Sequence, residues 1–329
     1  MGKPDVGFAV IGLGMGRQRS RIIAQTEGAR LAVVCDLNEE RAKEFTQELD
    51  VPYTLDHHEA IERDDVEVVL VMTPTGAHAP VAIDAAKASK HVVTTKPLEV
   101  TVERCDQIIQ VCEEAGVVLA VDFEARYHPD MRVVKRAIDQ GELGELIFGE
   151  AVLKWYRSQQ YYDQGGWRGT WEMDGGGSLM NQSIHPIDLL LWFMGDVQRV
   201  VGYTGILAHE IETEDVGMAL VEFANGAVGR ILGTTTYPAS QEYEVNVHGD
   251  RVGVTTRNMH LGDWHVLKGA EPPEIEPPEG PSNIAEDMVG VLRRGKKPVV
   301  SGREGRRAVE LIQAIYRSAE EGGWVNLPL

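Results

Sequence analysis

Along its first 121 residues the chain alternates short apolar runs with amphipathic stretches. Val6–Ile11, Leu31–Cys35, Val66–Met72, His91–Thr95 and Val117–Val121 read as strands, and Arg17–Thr26, Asn38–Leu49, Ala77–Ala88 and Val102–Ala115 as the helices between them. A parallel strand pair needs a crossover long enough to hold a helix, so this alternation predicts a doubly wound parallel sheet. From Asp122 onward the period changes. A helix near Met131–Gln140 and another ending at Met194 precede period-two runs at Val216–Phe223, Ala227–Gly233 and Tyr243–His248. Turns at Asn225-Gly226 and Gly249-Asp250 join these runs, the signature of an open, mainly antiparallel sheet in an α+β domain. Glu271–Pro281 is rich in Pro and Glu and reads as an exposed connection, and a last helix, Arg306–Glu321, stops at Gly322-Gly323. The expected class is α/β, with one domain over residues 1–122 and a second over 123–329.

Composition narrows the partners. At 329 residues, 43% hydrophobic, the chain can build two cores. Its formal net charge of -19 opposes binding to nucleic acid or to an anionic membrane surface. Cys35, Cys105 and Cys112 are odd in number and sit in apolar patterns, which suits buried thiols in a reducing compartment. No basic-then-apolar leader opens the chain and no apolar run nears the ~20 residues of a membrane span, so a cytoplasmic location is expected.

Chemistry enters at the first turn. Gly12, Gly14, Met15 and Gly16 lie in a glycine-rich turn between strand and helix, where backbone N–H groups can meet a pyrophosphate. Arg17 stands where the usual third glycine would be, with Gly16 beside it to take part of that packing role. The next strand ends in Asp36, at the ~20-residue spacing of an acid that binds the adenosine ribose. Such a carboxylate repels a 2′-phosphate, so a Rossmann domain holding NAD is expected ahead of NADP, with Arg41 the one nearby cation. Thr73, Pro74, Thr75 and His78 follow one parallel strand and Lys96 another, at the edge where doubly wound sheets bind ligands. In the second domain Asn181, His185 and Asp188 share one side at helical spacing, with Pro186 expected to kink that helix. The spacing of His57, His58 and His91 offers no metal site, and no third ligand joins His185 and Asp188, so no metal is expected.

With these motifs the chain resembles the glucose–fructose oxidoreductase, inositol dehydrogenase and MocA family over nearly its whole length. The Gly12 turn, Thr73-Pro74-Thr75 with His78, and Lys96-Pro97 carry the likeness in the first domain. Arg126 with Tyr127 and Pro129, Gly141–Gly144, Trp167-Arg168-Gly169, Gly175–Gly177 with His185 and Asp188, and Ala314–Ala319 carry it in the second. The resemblance implies hydride transfer at a secondary hydroxyl of a sugar or cyclitol, Lys96 as the motif lysine, His185 as the active-site histidine, and a homodimer or homotetramer formed through the C-terminal sheet. Thr95 replaces the glutamate usual before that lysine, and Asn181 replaces an aspartate that many members carry. Asn181 has no proton to exchange, which leaves His185 as the acid–base group. A Met-Asn-Gln segment like this one occurs in members acting on nucleotide-linked amino sugars and in some acting on unactivated sugars, so the sugar stays open.

The chemistry that follows is simple. An alcohol losing hydride must also lose its proton, and histidine, with an ordinary pKa near ~6.5, suits both directions. Lys96 would donate to the same oxygen and stabilise its developing charge. Asp188 either orients the imidazole or faces a backbone amide. Arg126, Tyr127, Trp155, Tyr156, Arg157, Tyr161, Trp167 and Arg168 offer stacking faces and forked donors for a ring or a carboxylate, Arg168 foremost, while Trp155 and Trp192 suit core packing. Two other readings remain: redox-assisted elimination or glycoside cleavage in which NAD is retained, and a dinucleotide-sensing regulatory protein, which would need neither Lys96 nor His185.

Overall fold

The computed structural model describes residues 4–329, which form two compact units. The first comprises residues 4–99, 103–124 and 280–306, and the second 100–102, 125–279 and 307–329. In chain order the elements are β1 (Val6–Ile11), α1 (Gly16–Gln25), β2 (Ala29–Cys35), α2 (Glu39–Leu49), β3 (Tyr53–Thr54), α3 (His57–Ile61), β4 (Val68–Val71), α4 (His78–Lys87), β5 (His91–Thr95), α5 (Val102–Glu114) and β6 (Leu119–Asp122). Then come α6 (Pro129–Asp139), β7 (Leu146–Lys154), α7 (Gln159–Asp163), α8 (Ile184–Met194), β8 (Val197–Gly205), β9 (Val216–Phe223), β10 (Val228–Thr234), β11 (Glu244–Gly249), β12 (Val252–Arg257) and β13 (His260–Val266). The chain closes with α9 (Ile284–Arg294), α10 (Gly302–Glu321) and β14 (Val325–Asn326).

The expected parallel sheet is present, six strands in the order β3-β2-β1-β4-β5-β6, every pair parallel. Its central strands are buried on both faces, which is why Val6–Ile11 and Val68–Val71 are unbroken apolar runs rather than alternating ones. Strand order reverses between β1 and β4, the switch point at which such sheets hold ligands. The sequence pattern missed β3 and α3, which are too short and polar to carry a period.

A single boundary at residue 122 does not describe the packing. Residues 280–306 belong to the first unit, where α9 buries Ile284, Met288 and Val289 and Arg293 forks onto Glu67 at 2.5 and 2.9 Å. The Val121 N–H also bonds the Val300 carbonyl at 3.0 Å. The basic run at Arg293 and Arg294 does close a helix, ending in the left-handed Gly295.

The second unit is built on an eight-stranded sheet, β13-β12-β11-β7-β10-β9-β8-β14. Every pair is antiparallel except β7 with β10. The pattern reading found β9, β10 and β11 but not β7, β8, β12, β13 or β14. On one face α8 packs on β7, where Gly149 leaves room for Met194 and Leu190. Among the described residues, no helix is long and apolar enough to cross a membrane.

Candidate functional site

The glycine turn divides its labour by position. Gly12 has φ +98°, and a Cβ there would stand 2.6 Å from the Met72 carbonyl oxygen, so only glycine fits. Gly16 sits against Val10 and Met72, where a Cβ would come within 3.0 and 3.3 Å. It therefore does the helix–sheet packing that a third glycine at position 17 would have done, and Arg17 turns outward to Glu44 at 3.0 Å. Gly14 has nothing within 4 Å of its Cβ direction. Beside that open space α1 begins at Gly16, its N-cap Met15 making no side-chain cap, which leaves its first N–H groups to a ligand.

Asp36, only 7% exposed at the end of β2, is held by the backbone N–H of Leu13 at 2.7 Å and of Asn38 at 2.8 Å. Arg41, the cation that would favour a 2′-phosphate, pairs with Asp36 at 3.2 Å. The donor set thus fits NAD: uncapped amides for a pyrophosphate, open space beside Gly14 and an oriented carboxylate for the ribose. A buried Thr73 hydroxyl with no partner points the same way.

His78 ties the remaining pieces together. The ring is 1% exposed, with Nδ1 3.0 Å from the Pro97 carbonyl and 3.2 Å from that of Leu98, and Nε2 3.0 Å from the Thr73 carbonyl. Burial holds the imidazole below its ordinary pKa, and a neutral ring has one N–H to give. It spans from the Thr73-Pro74-Thr75 turn to the segment just after Lys96. That half-buried lysine follows β5, joined to Pro97 by a cis peptide bond. His78, expected among cofactor contacts, is therefore a strut behind the loops.

In the second unit the segment Ser178–Ser183 is a π-helical turn leading directly into α8. The expected continuous α-helix with a kink at Pro186 is replaced by this widened turn. Pro186 falls in the first turn of α8, where a missing N–H costs least. His185, the second residue of α8, is half-buried. Asn181 donates from Nδ2 to Asp174 and accepts from Gln182 Nε2 at 2.7 Å.

Sequence reasoning missed Glu214. Its carboxylate accepts from the N–H of Gly177 at 3.0 Å and of Leu179 at 2.7 Å and from the Tyr316 hydroxyl at 3.0 Å. It supplies the cap that the π turn lacks locally. Burial raises its carboxyl to about 7. Nothing in the run Glu212–Asp215 marks that Glu214 and Asp215 turn inward while Glu212 stays exposed.

Four expectations change, those for Arg126, Tyr127, Trp155 and Trp192. Arg126 is no forked donor for substrate: its Nε and Nη2 bond the two oxygens of Asp188 at 2.8 and 2.7 Å, each residue 1% exposed. A buried bidentate pair of this kind fixes the 3-10 turn Glu124–Tyr127 to α8 instead of facing solvent. Tyr127 is 3% exposed and likewise packs inside. Arg168 and Trp167 stay half-buried, the guanidinium 4.9 Å from the Trp167 ring and 4.6 Å from that of Tyr161. Trp155 and Trp192, expected in the core, are also only half-buried. Asp56, His57 and His58 gather ligand atoms within 4.8 Å of one another, as do His128, Asp130 and His260. The first trio, absent from the sequence spacing, arises because Asp56 caps α3 through the His58 N–H at 2.9 Å.

Comparison with known proteins agrees with this geometry. Residues 6–123 match the model of the oxidoreductase family with an NAD-binding Rossmann fold, and residues 131–255 match that of the GFO/IDH/MocA C-terminal domain. Scyllo-inositol 2-dehydrogenase (NAD(+)) of Bacillus subtilis is 29% identical over 78% of this chain and 76% of its own length. Myo-inositol 2-dehydrogenase of Thermotoga maritima is 26% identical over 97% and 98%. Among solved structures, the WlbA dehydrogenase of Bordetella pertussis in complex with NADH and UDP-GlcNAcA superposes with a TM-score of 0.91 at 32% identity, covering 100% of this chain and 99% of that one. The chain belongs to the Gfo/Idh/MocA family of NAD-binding oxidoreductases, and is an enzyme of the sugar and cyclitol dehydrogenase type.

Proposed function

We propose that this protein interconverts a secondary hydroxyl and the corresponding ketone on a sugar, sugar derivative or cyclitol, with His185 moving the proton and Lys96 steadying the oxygen. The observation that supports this most is the anchoring of the Lys96 segment: His78 contacts the Thr73 carbonyl on one side and the Pro97 and Leu98 carbonyls on the other, so the lysine follows a fixed strand end. Bound NAD supplies the hydride acceptor or donor. Lys96 donates from its ammonium to the reacting oxygen, where charge develops. His185 accepts the hydroxyl proton in oxidation and returns it in reduction. Asn181 has no titratable proton, so it orients substrate through hydrogen bonds while Asp174 fixes its amide.

We assign the protein to the cytoplasm and to a homodimer or homotetramer that covers the outer face of the C-terminal sheet. On that sheet Tyr203, Met218 and Leu220 are 49%, 44% and 58% exposed, with Tyr203 and Met218 directly paired across β8 and β9.

The test is kinetic. His185→Ala lowers kcat by about 10²–10⁴-fold if the imidazole is the proton carrier, with NAD affinity retained. Turnover near wild type removes His185 from that role. Substrate consumption without net NADH, in a protein isolated with tightly held NAD, would transfer the assignment to retained-cofactor elimination or glycoside cleavage.

A further inference from the structure

In a chain of 51 acidic and 32 basic side chains, an arginine is expected to find a carboxylate, and most do. Arg19 pairs with Asp122, Arg126 with Asp188, Arg199 with Glu222 and Arg303 with Glu113. Arg157 and Arg168 form no ion pair with any described carboxylate, although both are half-buried. They are also neighbours. Both guanidiniums lie against one ring, that of Tyr161, at 5.0 and 4.6 Å. Trp155 flanks Arg157 at 4.9 Å and Trp167 flanks Arg168 at 4.9 Å, giving an interleaved stack of three aromatic rings and two cations.

Two unneutralised cations on one ring repel each other, and partial burial strengthens that repulsion. Aromatic faces offset part of it. Both heads are also held in place. Arg157 Nη2 donates to Gln182 Oε1 at 2.8 Å and Arg168 Nη1 to the Gln164 carbonyl at 2.9 Å. The Arg157 Nε is buried without a hydrogen-bond partner. Gln182 in turn donates to the Tyr161 hydroxyl at 3.0 Å and to Asn181, and stands three residues before His185. Arg168 also borders a cavity of about 510 Å³ that carries Asp163, Glu210 and Glu212, none of which pairs with it.

We infer that Arg157 and Arg168, stacked on Tyr161, form an oxyanion seat, so that the substrate carries a carboxylate or a phosphate in addition to the carbon that is oxidised. This deepens the dehydrogenase reading and rests on it for the reacting carbon, but not for the anion. A planar guanidinium pair matches an oxyacid in bidentate geometry, and fixed heads lose little rotamer freedom on binding. The attachment of Arg157 through Gln182 to the turn that leads into His185 makes the anion a register mark for the hydroxyl.

Calorimetric titration of the NAD-loaded protein with D-glucose, D-glucuronate, glucose 1-phosphate and UDP-glucose tests the seat without turnover. At least one anionic probe binds ten-fold or more tighter than glucose. Tightening by glucuronate alone assigns a carboxylate, and tightening by the phosphorylated pair alone assigns a phosphate. Arg168→Gln and Arg157→Gln each bring the preferred probe to the level of glucose, and Arg157→Lys retains part of the preference, which excludes misfolding as the cause. Equal affinities for neutral and charged probes, absence of binding by every anionic probe, or an unchanged preference in both glutamine variants overturns the inference. If the preference holds while no probe reduces NAD, the dehydrogenase reading fails and the seat stands.

Discussion

Gly12 and Gly14 stand two residues apart and are glycine for different reasons, which makes them separable by experiment. Gly12→Ala forces a side chain into the left-handed region and against the Met72 carbonyl, so it should destabilise the protein by about 2 kcal/mol or more. Gly14→Ala meets no protein atom and should leave the melting temperature nearly unchanged while weakening NAD binding, because the added methyl fills the open space beside Gly14. Thermal melts alongside NAD titrations distinguish the two, and a Gly14→Ala protein that binds NAD like wild type would contradict that role for Gly14. The placement of these residues was readable in the sequence: the glycines, Asp36 and Lys96 fall at the carboxyl edge of a parallel sheet because β–α alternation dictates that edge. The fate of Arg126 was not. Its partner Asp188 lies 62 positions away, and only folding reveals that a forked donor is already taken.

The π turn before α8 is the element that leads into His185, and Glu214 holds it. Burial raises the Glu214 carboxyl from 4.5 to about 7. An acid whose folded pKa lies above its unfolded value binds its proton more tightly when folded. The stability tied to Glu214 is therefore full below about 4.5 and is lost as pH rises through about 7. The melting temperature of the wild type should fall between about pH 5 and about pH 8 by an increment that Glu214→Gln lacks. Glu214→Ala, which leaves the Gly177 and Leu179 amides without their acceptor, should cost roughly 1–3 kcal/mol and lower kcat, with partial rescue by Gln. Identical pH slopes in wild type and Glu214→Gln would contradict this account. The π turn itself was invisible in the sequence, since Ser-Leu-Met-Asn-Gln-Ser fits an ordinary α-helix. What widens it lies elsewhere: Glu214 accepting from its first turn, and Leu179 set against Gly217 and Gly233, where a Cβ would come within 2.5 and 3.0 Å. Strands β7 and β8 escaped the pattern for a related reason, their half-buried positions blurring the two-residue alternation.

At the scale of the whole molecule, the fold class followed from the change of hydrophobic period near Asp122, but the return of residues 280–306 to the first unit did not. Composition shows an exposed connection at Glu271–Pro281 and says nothing about which core the next helix joins. Assembly belongs to this scale too. Light scattering should give a dimer or tetramer, and Leu220→Asp on the outer sheet should shift it toward monomer; a wild-type monomer contradicts association through that face. The central claim, hydride exchange at a sugar or cyclitol carbon, is met most directly by absorbance at the reduced-nicotinamide band while the protein and NAD encounter a panel of cyclitols, sugars, sugar acids and nucleotide sugars. The account predicts substrate-dependent NADH formation that disappears in Lys96→Ala; the same rate in Lys96→Ala, or no NADH from any member despite tight NAD binding, would contradict it.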